Sequence, residues 1–336
     1  MGRASPCPSW PRRRRHGPRV GSPRDAPCGG ALHGEATIAI GIPESRIAPV
    51  LRLLRPRQWI KNLLLFAALV FAKQLFVPRS VGLACLAFAA FCLASSSIYV
   101  VNDLVDAERD REHPEKRLRP IASGEVAPRA AGLAAAALTL AALAISLAIG
   151  RSFAAALLVY LGTSHFYSLA GKNVVVLDAL LVAAGFVIRA VAGALAIAVP
   201  YSDWFVLCTA FLALFIVFSK RRAELLTAGS RAARSRPVLA LYTEGSLAAF
   251  TATSMAAAVI SYSLYVQDMH EKAGRALELL PFTVPFVLFV IFRYHLLVER
   301  GSLGEKPEEA VFRDRVLLAS LLGFAAVALA AFYGGG

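Results

Sequence analysis

The sequence predicts an all-α polytopic membrane protein with nine transmembrane helices. Three observations predict it. Of 336 residues, 57% are hydrophobic and only 17% charged, with a mean hydropathy of +0.59. Soluble domains run nearer 45–50% apolar and about 25% charged, so a soluble enzyme and a disordered scaffold are both excluded. From about residue 59 the apolar residues fall in runs of roughly 18–25, the length needed to cross a bilayer as helix. The alternating pattern of a membrane barrel is absent, so the spanning backbone must satisfy its polar groups within helices.

Residues 1–45 are rich in Pro, Gly and Arg, with Arg12 to Arg15 in a run and no apolar periodicity. They read as a disordered basic leader. No apolar segment follows the arginines, which argues against a signal peptide. Residues 46–336 read as one intramembrane domain. Its first span, 59–77, is entered through RPRQWIKN, which sets Arg55, Arg57, Gln58, Lys61 and Asn62 at one face of the membrane, with Trp59 as an interface anchor. The second, 81–101, runs into NDLVDAERD. The third and fourth, 130–149 and 152–170, are followed by a short loop marked by Tyr167 and Lys172. The fifth, 174–199, carries Asp178 and Arg189 in an otherwise apolar run. The sixth, 203–219, opens into SKRRAEL, and 245–266, 280–298 and 315–333 complete the set.

The net charge of +14 is unevenly spread: residues 1–58 hold eleven Lys/Arg against three Asp/Glu, and the loops 102–129 and 219–244 hold six Lys/Arg each. By the positive-inside rule the N-terminus and these two loops are cytoplasmic and the C-terminus lies outside, in a cell (inner) membrane. Attraction to an anionic leaflet explains this placement better than nucleic acid, which is not expected as a partner. Cys7, Cys28, Cys85, Cys92 and Cys208 are scattered and odd in number, so neither a disulfide framework nor a zinc site is implied.

The chemistry concentrates in 99–124, YVVNDLVDAERDREHPEKRLRPIASG. If the second span continues as helix, Asn102, Asp106 and Asp110 sit at i, i+4 and i+8, with Asp103 beside the first. Like charges at that spacing repel unless a cation lies between them. An ion-paired helix end is the plain alternative, with Arg109 and Arg111 adjacent. Magnesium is favoured, because it takes a few carboxylates together with waters and phosphate oxygens, and because carboxylates at membrane depth are costly and usually functional. Asn102, Asp106 and Asp110 are the metal candidates; Asp103, Asp106 and Asp110 are the catalytic ones. Lys116, Arg117 and Arg119 follow, and beside a metal-binding acidic face they are candidates for gripping a diphosphate. Lys220, Arg221, Arg222 and Glu224 form the second cluster, although the positive-inside rule alone would also put basic residues there. Asp178 and Arg189, eleven residues apart and so about 16 Å apart along one helix face, cannot pair with each other. They must face a polar cavity or partners on other helices. His165 and His295 have no second ligand at metal spacing and read as structural. No phosphate-binding glycine loop, dinucleotide fingerprint, nucleophile elbow or soluble phosphoribosyltransferase signature is present.

Together RPRQWIKN, NDLVDAERDREHPEKRLRPIASG, GFVIRAVAGA, SKRRAEL and RYHLLVERG…PEEAVFRDR resemble, in order from about residue 50 to the end, the UbiA superfamily of intramembrane prenyltransferases. Within it, the likeness narrows to the branch that transfers phosphoribose. The resemblance implies an all-helical UbiA-like bundle around a central cavity. It implies magnesium-dependent transfer of 5-phosphoribose from phosphoribosyl diphosphate to a polyprenyl (decaprenyl) phosphate, for cell-envelope precursor synthesis. By it Asn102, Asp103, Asp106 and Asp110 are the first acidic motif. Arg57, Gln58, Lys61, Asn62, Lys116, Arg117, Arg119, Tyr167, Lys172, Asp178, Arg189, Lys220, Arg221, Arg222 and Glu224 are the substrate-binding candidates. The D-x-x-x-D motif that aromatic prenyltransferases carry on the matching loop is here SKRRAEL, which suits a donor rich in phosphate. Two rivals stay open: an aromatic-acceptor polyprenyltransferase using a polyprenyl diphosphate, and a transporter or structural membrane protein. A homo-oligomer is also left open.

Overall fold

The computed structural model describes residues 47–112, 116–228, 237–273, 277–300 and 314–334. The leader 1–45 and most of PEEAVFRDR lie outside the described residues. In chain order the elements are α1 (Ile47–Leu54), a 3₁₀ run (Pro56–Phe66), α2 (Ala67–Phe71), α3 (Pro78–Val105), α4 (Ala107–Arg111), a 3₁₀ turn (Lys116–Leu118), α5 (Pro128–Ile149), α6 (Arg151–Leu169), a 3₁₀ turn (Gly171–Asn173), α7 (Leu177–Ala196), α8 (Asp203–Ala228), a 3₁₀ turn (Pro237–Leu241), α9 (Glu244–Ala273), a 3₁₀ turn (Leu280–Thr283), α10 (Val284–Glu299) and α11 (Arg315–Tyr333). Among the described residues there is no strand.

Among the described residues, seven helical stretches are long and apolar enough to cross a membrane: Pro78–Val105, Pro128–Ile149, Leu177–Ala196, Asp203–Leu226, Glu244–Lys272, Leu280–Glu299 and Arg315–Tyr333. Each falls on a predicted span. The predicted fourth span is α6, 19 residues long, whose last turns carry the polar Thr163, Ser164, His165 and Tyr167. The predicted first span is the 3₁₀ run leading into α2, entered at Arg55 with φ 52° and ψ 57°.

Small side chains decide where the helices meet. Lipid is as apolar as leucine, so helices associate by close packing and interhelical hydrogen bonds rather than by escape from water. Ala84, Ala87, Ala90 and Ala94 of α3 and Ala142 of α5 are fully buried, and Ala135 of α5 nearly so. Ser97 and Thr139 join α3 to α5 with a 2.8 Å hydroxyl hydrogen bond. The far side of α5 turns outward: Leu133, Leu140 and Leu147, seven residues apart, are 74%, 67% and 66% exposed. That is the stripe expected of a helix facing lipid. Helices α3, α5, α6 and α7 share a core around Phe91, Phe153 and Leu157. Helices α8 to α11 share another around Phe215, Ala258, Ile291 and Leu317. At the start of α11, Arg293 of α10 holds Asp314 through Nη2 to Oδ2 at 2.7 Å, while Oδ1 accepts from Leu317 N at 2.8 Å and caps α11. The Arg293 hydrogen bond keeps the Asp314 carboxyl below the usual carboxylate range.

The 3₁₀ run wedges between α3 and α7. A Cβ at Gly193 of α7 would lie 2.2 Å from the Leu65 carbonyl oxygen, so only glycine admits this backbone-on-backbone approach. Gly193→Ala is expected to lower the melting temperature of detergent-purified protein, in line with an overpacking cost of about 1–3 kcal/mol. Gly82→Ala, where an added Cβ meets nothing within 4 Å, is the control and should be neutral or mildly stabilising.

Candidate functional site

The first acidic motif divides into two halves that face different ways. Asp103 and Asp110 are seven residues apart, two helical turns, and therefore share a face. Both are buried, each 3% exposed. The Arg55 Nη2 donates to both Asp103 oxygens at 2.6 and 2.8 Å. Arg119 Nη1 spans the pair, donating to Asp103 Oδ1 at 3.1 Å and to Asp110 Oδ2 at 2.6 Å. The cation that repulsion demanded is thus supplied here by guanidinium groups. They come from the entry of the first segment and from the loop after α4, not from the neighbouring Arg109 and Arg111, which are exposed.

Asn102 and Asp106 look elsewhere. Helix α3 ends at Asp106, whose backbone leaves the helical region at φ −90°, ψ 2°. The hydrogen bonds Asp106 N to Asn102 O and Asp110 N to Asp106 O continue the helical sense across the break. Asn102, Asp106, His165, Ser168 and Lys172 line a cavity of about 100 Å³, and Lys172 Nζ stands 3.6 Å from Asp106 Oδ1. Among the described residues no three His, Cys, Asp or Glu side chains gather as a closed metal cage. Magnesium does not need one: a carboxylate and an amide oxygen on a cavity, with waters and substrate phosphates completing six oxygens, is its usual protein site. Asn102 and Asp106 fit that chemistry. Asp110 is held by Arg119 instead.

The turn after α6 leads to the second motif. Asp178, fully buried in the first turn of α7, accepts on Oδ2 from Arg221 Nε at 3.1 Å, with Arg221 Nη2 2.9 Å from the same oxygen, and on Oδ1 from Tyr242 Oη at 2.7 Å. Arg221 Nη1 reaches Glu224 at 3.4 Å. Arg222, on the next face of α8, pairs with Glu299 at 3.0 Å and with Glu244 at 3.9 Å. Arg189 is 7% exposed and donates to Asn62 Oδ1, Tyr160 Oη and Gly185 O at 2.7–2.8 Å, with its guanidinium over the Tyr160 ring. Asp178 and Arg189 therefore each find partners on other elements.

Between the two helix groups lies a cavity of about 470 Å³. Its wall comes from the first segment, α7 and α8 to α11, with Phe186, Phe205, Tyr262, Tyr265 and Phe324 among the apolar side chains; Lys61 is the charged residue on it. Lys61 lies six residues beyond Arg55, about 12 Å along a 3₁₀ segment. An apolar chamber with one cation fits an anionic amphiphile.

The profile of the UbiA prenyltransferase family matches residues 63–313. The chain belongs to that family. It is 37% identical over 314 residues to a protein of Mycolicibacterium smegmatis named decaprenyl-phosphate phosphoribosyltransferase, covering 89% of this chain and 97% of that one. A protein of the same name from Corynebacterium glutamicum is 36% identical over 292 residues, 82% of this chain and 84% of that one. Among solved structures, a UbiA homolog from Archaeoglobus fulgidus bound to GPP and Mg2+ superposes with a TM-score of 0.64 at 21% identity, over 84% of this chain and 99% of that one. This likeness establishes a shared UbiA fold.

Within this UbiA chain the predicted site residues fall into distinct settings. Asn102, Asp106 and Lys172 share one cavity, and Lys61 lines the other. Asp103, Asp110 and Arg119 form one ion-paired cluster, and Asp178, Arg221 and Glu224 another. Asn62 and Arg189 are bonded together inside the bundle. Arg57 and Arg117 are exposed, while Gln58, Lys116, Tyr167 and Lys220 are half-buried. Trp59, expected as an interface anchor, donates its indole N–H to Ser96 Oγ at 3.0 Å. His165, read as structural, lines the cavity of Asn102 and Asp106. Arg55 stands in RPRQWIKN and Glu299 in RYHLLVERG with nothing local to name their partners, and Tyr242 and Tyr160 fall in no motif. Their partners lie 29 to 77 positions away in the chain, beyond any local pattern.

Proposed function

We propose that this chain transfers 5-phosphoribose from phosphoribosyl diphosphate to a polyprenyl phosphate, releasing diphosphate, at the cytosolic face of the cell membrane. The observation that carries the reading is the joining of two polar clusters. Asp106 meets Lys172, and the short segment after Lys172 leads to Asp178, which holds Arg221 of SKRRAEL. Carboxylates and basic side chains thus stand together, in a bundle that also holds an apolar chamber with Lys61 on its wall. The names of the relatives at 36–37% identity point to the same reaction.

The acceptor is already an anion, so no general base is required to activate it. Catalysis then rests on positioning and on stabilising charge as the glycosidic bond breaks. Asn102 and Asp106, with Asp110 once Arg119 releases it, would hold magnesium, which when bound neutralises diphosphate charge. Lys116, Arg117, Arg119, Lys172, Lys220 and Arg222 grip donor phosphates. Lys61 orients the lipid phosphate, and the apolar chamber receives the first part of the tail. In-line attack by a lipid phosphate oxygen at ribose C1 gives inversion there. Arg189, enclosed among Asn62, Tyr160 and Gly185, acts on this site by holding the first segment against α7.

The test is a membrane assay with ribose-labelled phosphoribosyl diphosphate and polyprenyl phosphate. Label is expected in the lipid phase, and chelation of magnesium should stop its appearance. No labelled lipid, together with prenylation of an aromatic acceptor from a polyprenyl diphosphate, would overturn the proposal in favour of the family's other chemistry.

A further inference from the structure

Tyr242 lies outside both charged motifs, yet it bonds Asp178, the partner of Arg221 in the second, and the backbone that follows Lys172. The residue follows the 3₁₀ turn Pro237–Leu241, and its ring is buried with Val238, Leu239 and Leu247 against α7 and α8. Its hydroxyl donates to Asp178 Oδ1 at 2.7 Å and accepts from Val176 N at 2.8 Å. Burial, reinforced by the Asp178 hydrogen bond, pushes the Tyr242 phenol up to about 12, so the hydroxyl keeps its proton at working pH.

The Val176 amide it satisfies is unusual. Val176 has φ 68° and ψ −45°, a region that a β-branched residue occupies only where its surroundings hold it there. The amide also precedes the first turn of α7, where N–H groups have no partner within the helix. Upstream the chain has little slack. The turn Gly171–Asn173 is closed by Val174 N to Gly171 O at 3.2 Å, and Asp178 N reaches back to Val174 O at 3.0 Å. A Cβ on Gly171 would lie 2.2 Å from Leu181 Cδ1, so the turn is pressed onto α7. Lys172 projects from this turn to 3.6 Å from Asp106.

We propose that Tyr242 is a positioning residue: by fixing Val176 it sets the 171–176 turn and holds Lys172 opposite Asp106. The proposal rests on the phosphoribosyl-transfer reading for its kinetic consequence, though not for its geometry. It makes the loop after α8 a determinant of how the first acidic motif meets its ligand.

Tyr242→Phe removes both hydrogen bonds while keeping the ring in its apolar pocket. The expected result is a KM for phosphoribosyl diphosphate raised about tenfold with kcat within about twofold. Lys172→Met is expected to do the same. The double variant should be no worse than Lys172→Met alone, because Tyr242 acts through Lys172. Multiplied effects, about a hundredfold together, would overturn the proposal. A second readout needs no turnover: the rate at which limiting amine-acylating reagent modifies Lys172, read by peptide mass spectrometry in detergent-purified protein. It should rise several-fold in Tyr242→Phe, with Lys73 and Lys272 unchanged as internal references, and an unchanged Lys172 rate would overturn the proposal. An unmutated protein without transfer activity would count against the transfer reading alone, since the labelling result stands by itself.

Discussion

Asp106→Asn is expected to lower phosphoribosyl transfer by about 10²–10³-fold while leaving membrane insertion and melting temperature unchanged. The magnitude is that of removing one well-placed electrostatic group from an active site. The separation of function from folding follows from where Asp106 sits. Its side chain is 28% exposed and lines a cavity, and its ion pair with Lys172 is a loose 3.6 Å. A half-exposed pair of that kind contributes little to stability. Asp103 and Asp110 are the contrast. Each is buried and engaged by guanidinium groups at 2.6 Å, so their Asn variants should lose stability together with activity. The measurement is label transfer to lipid across a magnesium series, beside thermal unfolding of each variant. Near-normal turnover by Asp106→Asn with magnesium limiting would end the case for Asp106 as a metal ligand.

The second large effect is expected on folding. Asp178→Ala should destabilise the protein by about 3–5 kcal/mol, the cost of leaving one partner of a buried ion pair uncompensated. Arg221 is 4% exposed and would keep Glu224 at 3.4 Å as its remaining acidic neighbour. Tyr242 would lose its acceptor as well. Since domains hold only about 5–15 kcal/mol in reserve, the variant should accumulate poorly and melt early. Asp178→Asn keeps the shape and an acceptor for Tyr242, and should fall between the two. An Asp178→Ala protein with unchanged melting temperature and only a raised KM for the donor would instead make Asp178 a ligand-binding group.

These two outcomes separate residues that look equivalent as letters. Asp103, Asp106 and Asp110 differ by which way one helix turn points and by where Arg55 and Arg119 arrive. Arg119 is nine positions from Asp110, but Arg55 is 48 positions from Asp103, and nothing periodic links them. The same holds for Asp178. Its burial in an apolar run foretold a partner on another helix, because a lone carboxylate in hydrocarbon is too costly, but the run could not say that Arg221 and Tyr242 would supply it. The first segment shows a different limit. Its apolar content announced a membrane helix, while the close approach of Leu65 to Gly193 belongs to a tightly wound 3₁₀ run that hydropathy does not distinguish from α-helix.

Membership of a helical membrane class was legible from composition and run length, because lipid imposes one rule on every spanning segment: backbone polar groups must be satisfied within it. The acidic and basic motifs were legible for a related reason, since charge near a membrane is too expensive to be placed without cause. The division of labour inside the motifs was decided by packing alone. Which carboxylate is neutralised by arginine and which faces a cavity depends on contacts between segments far apart in the chain, and those contacts form only when small residues such as Gly193 let the helices close.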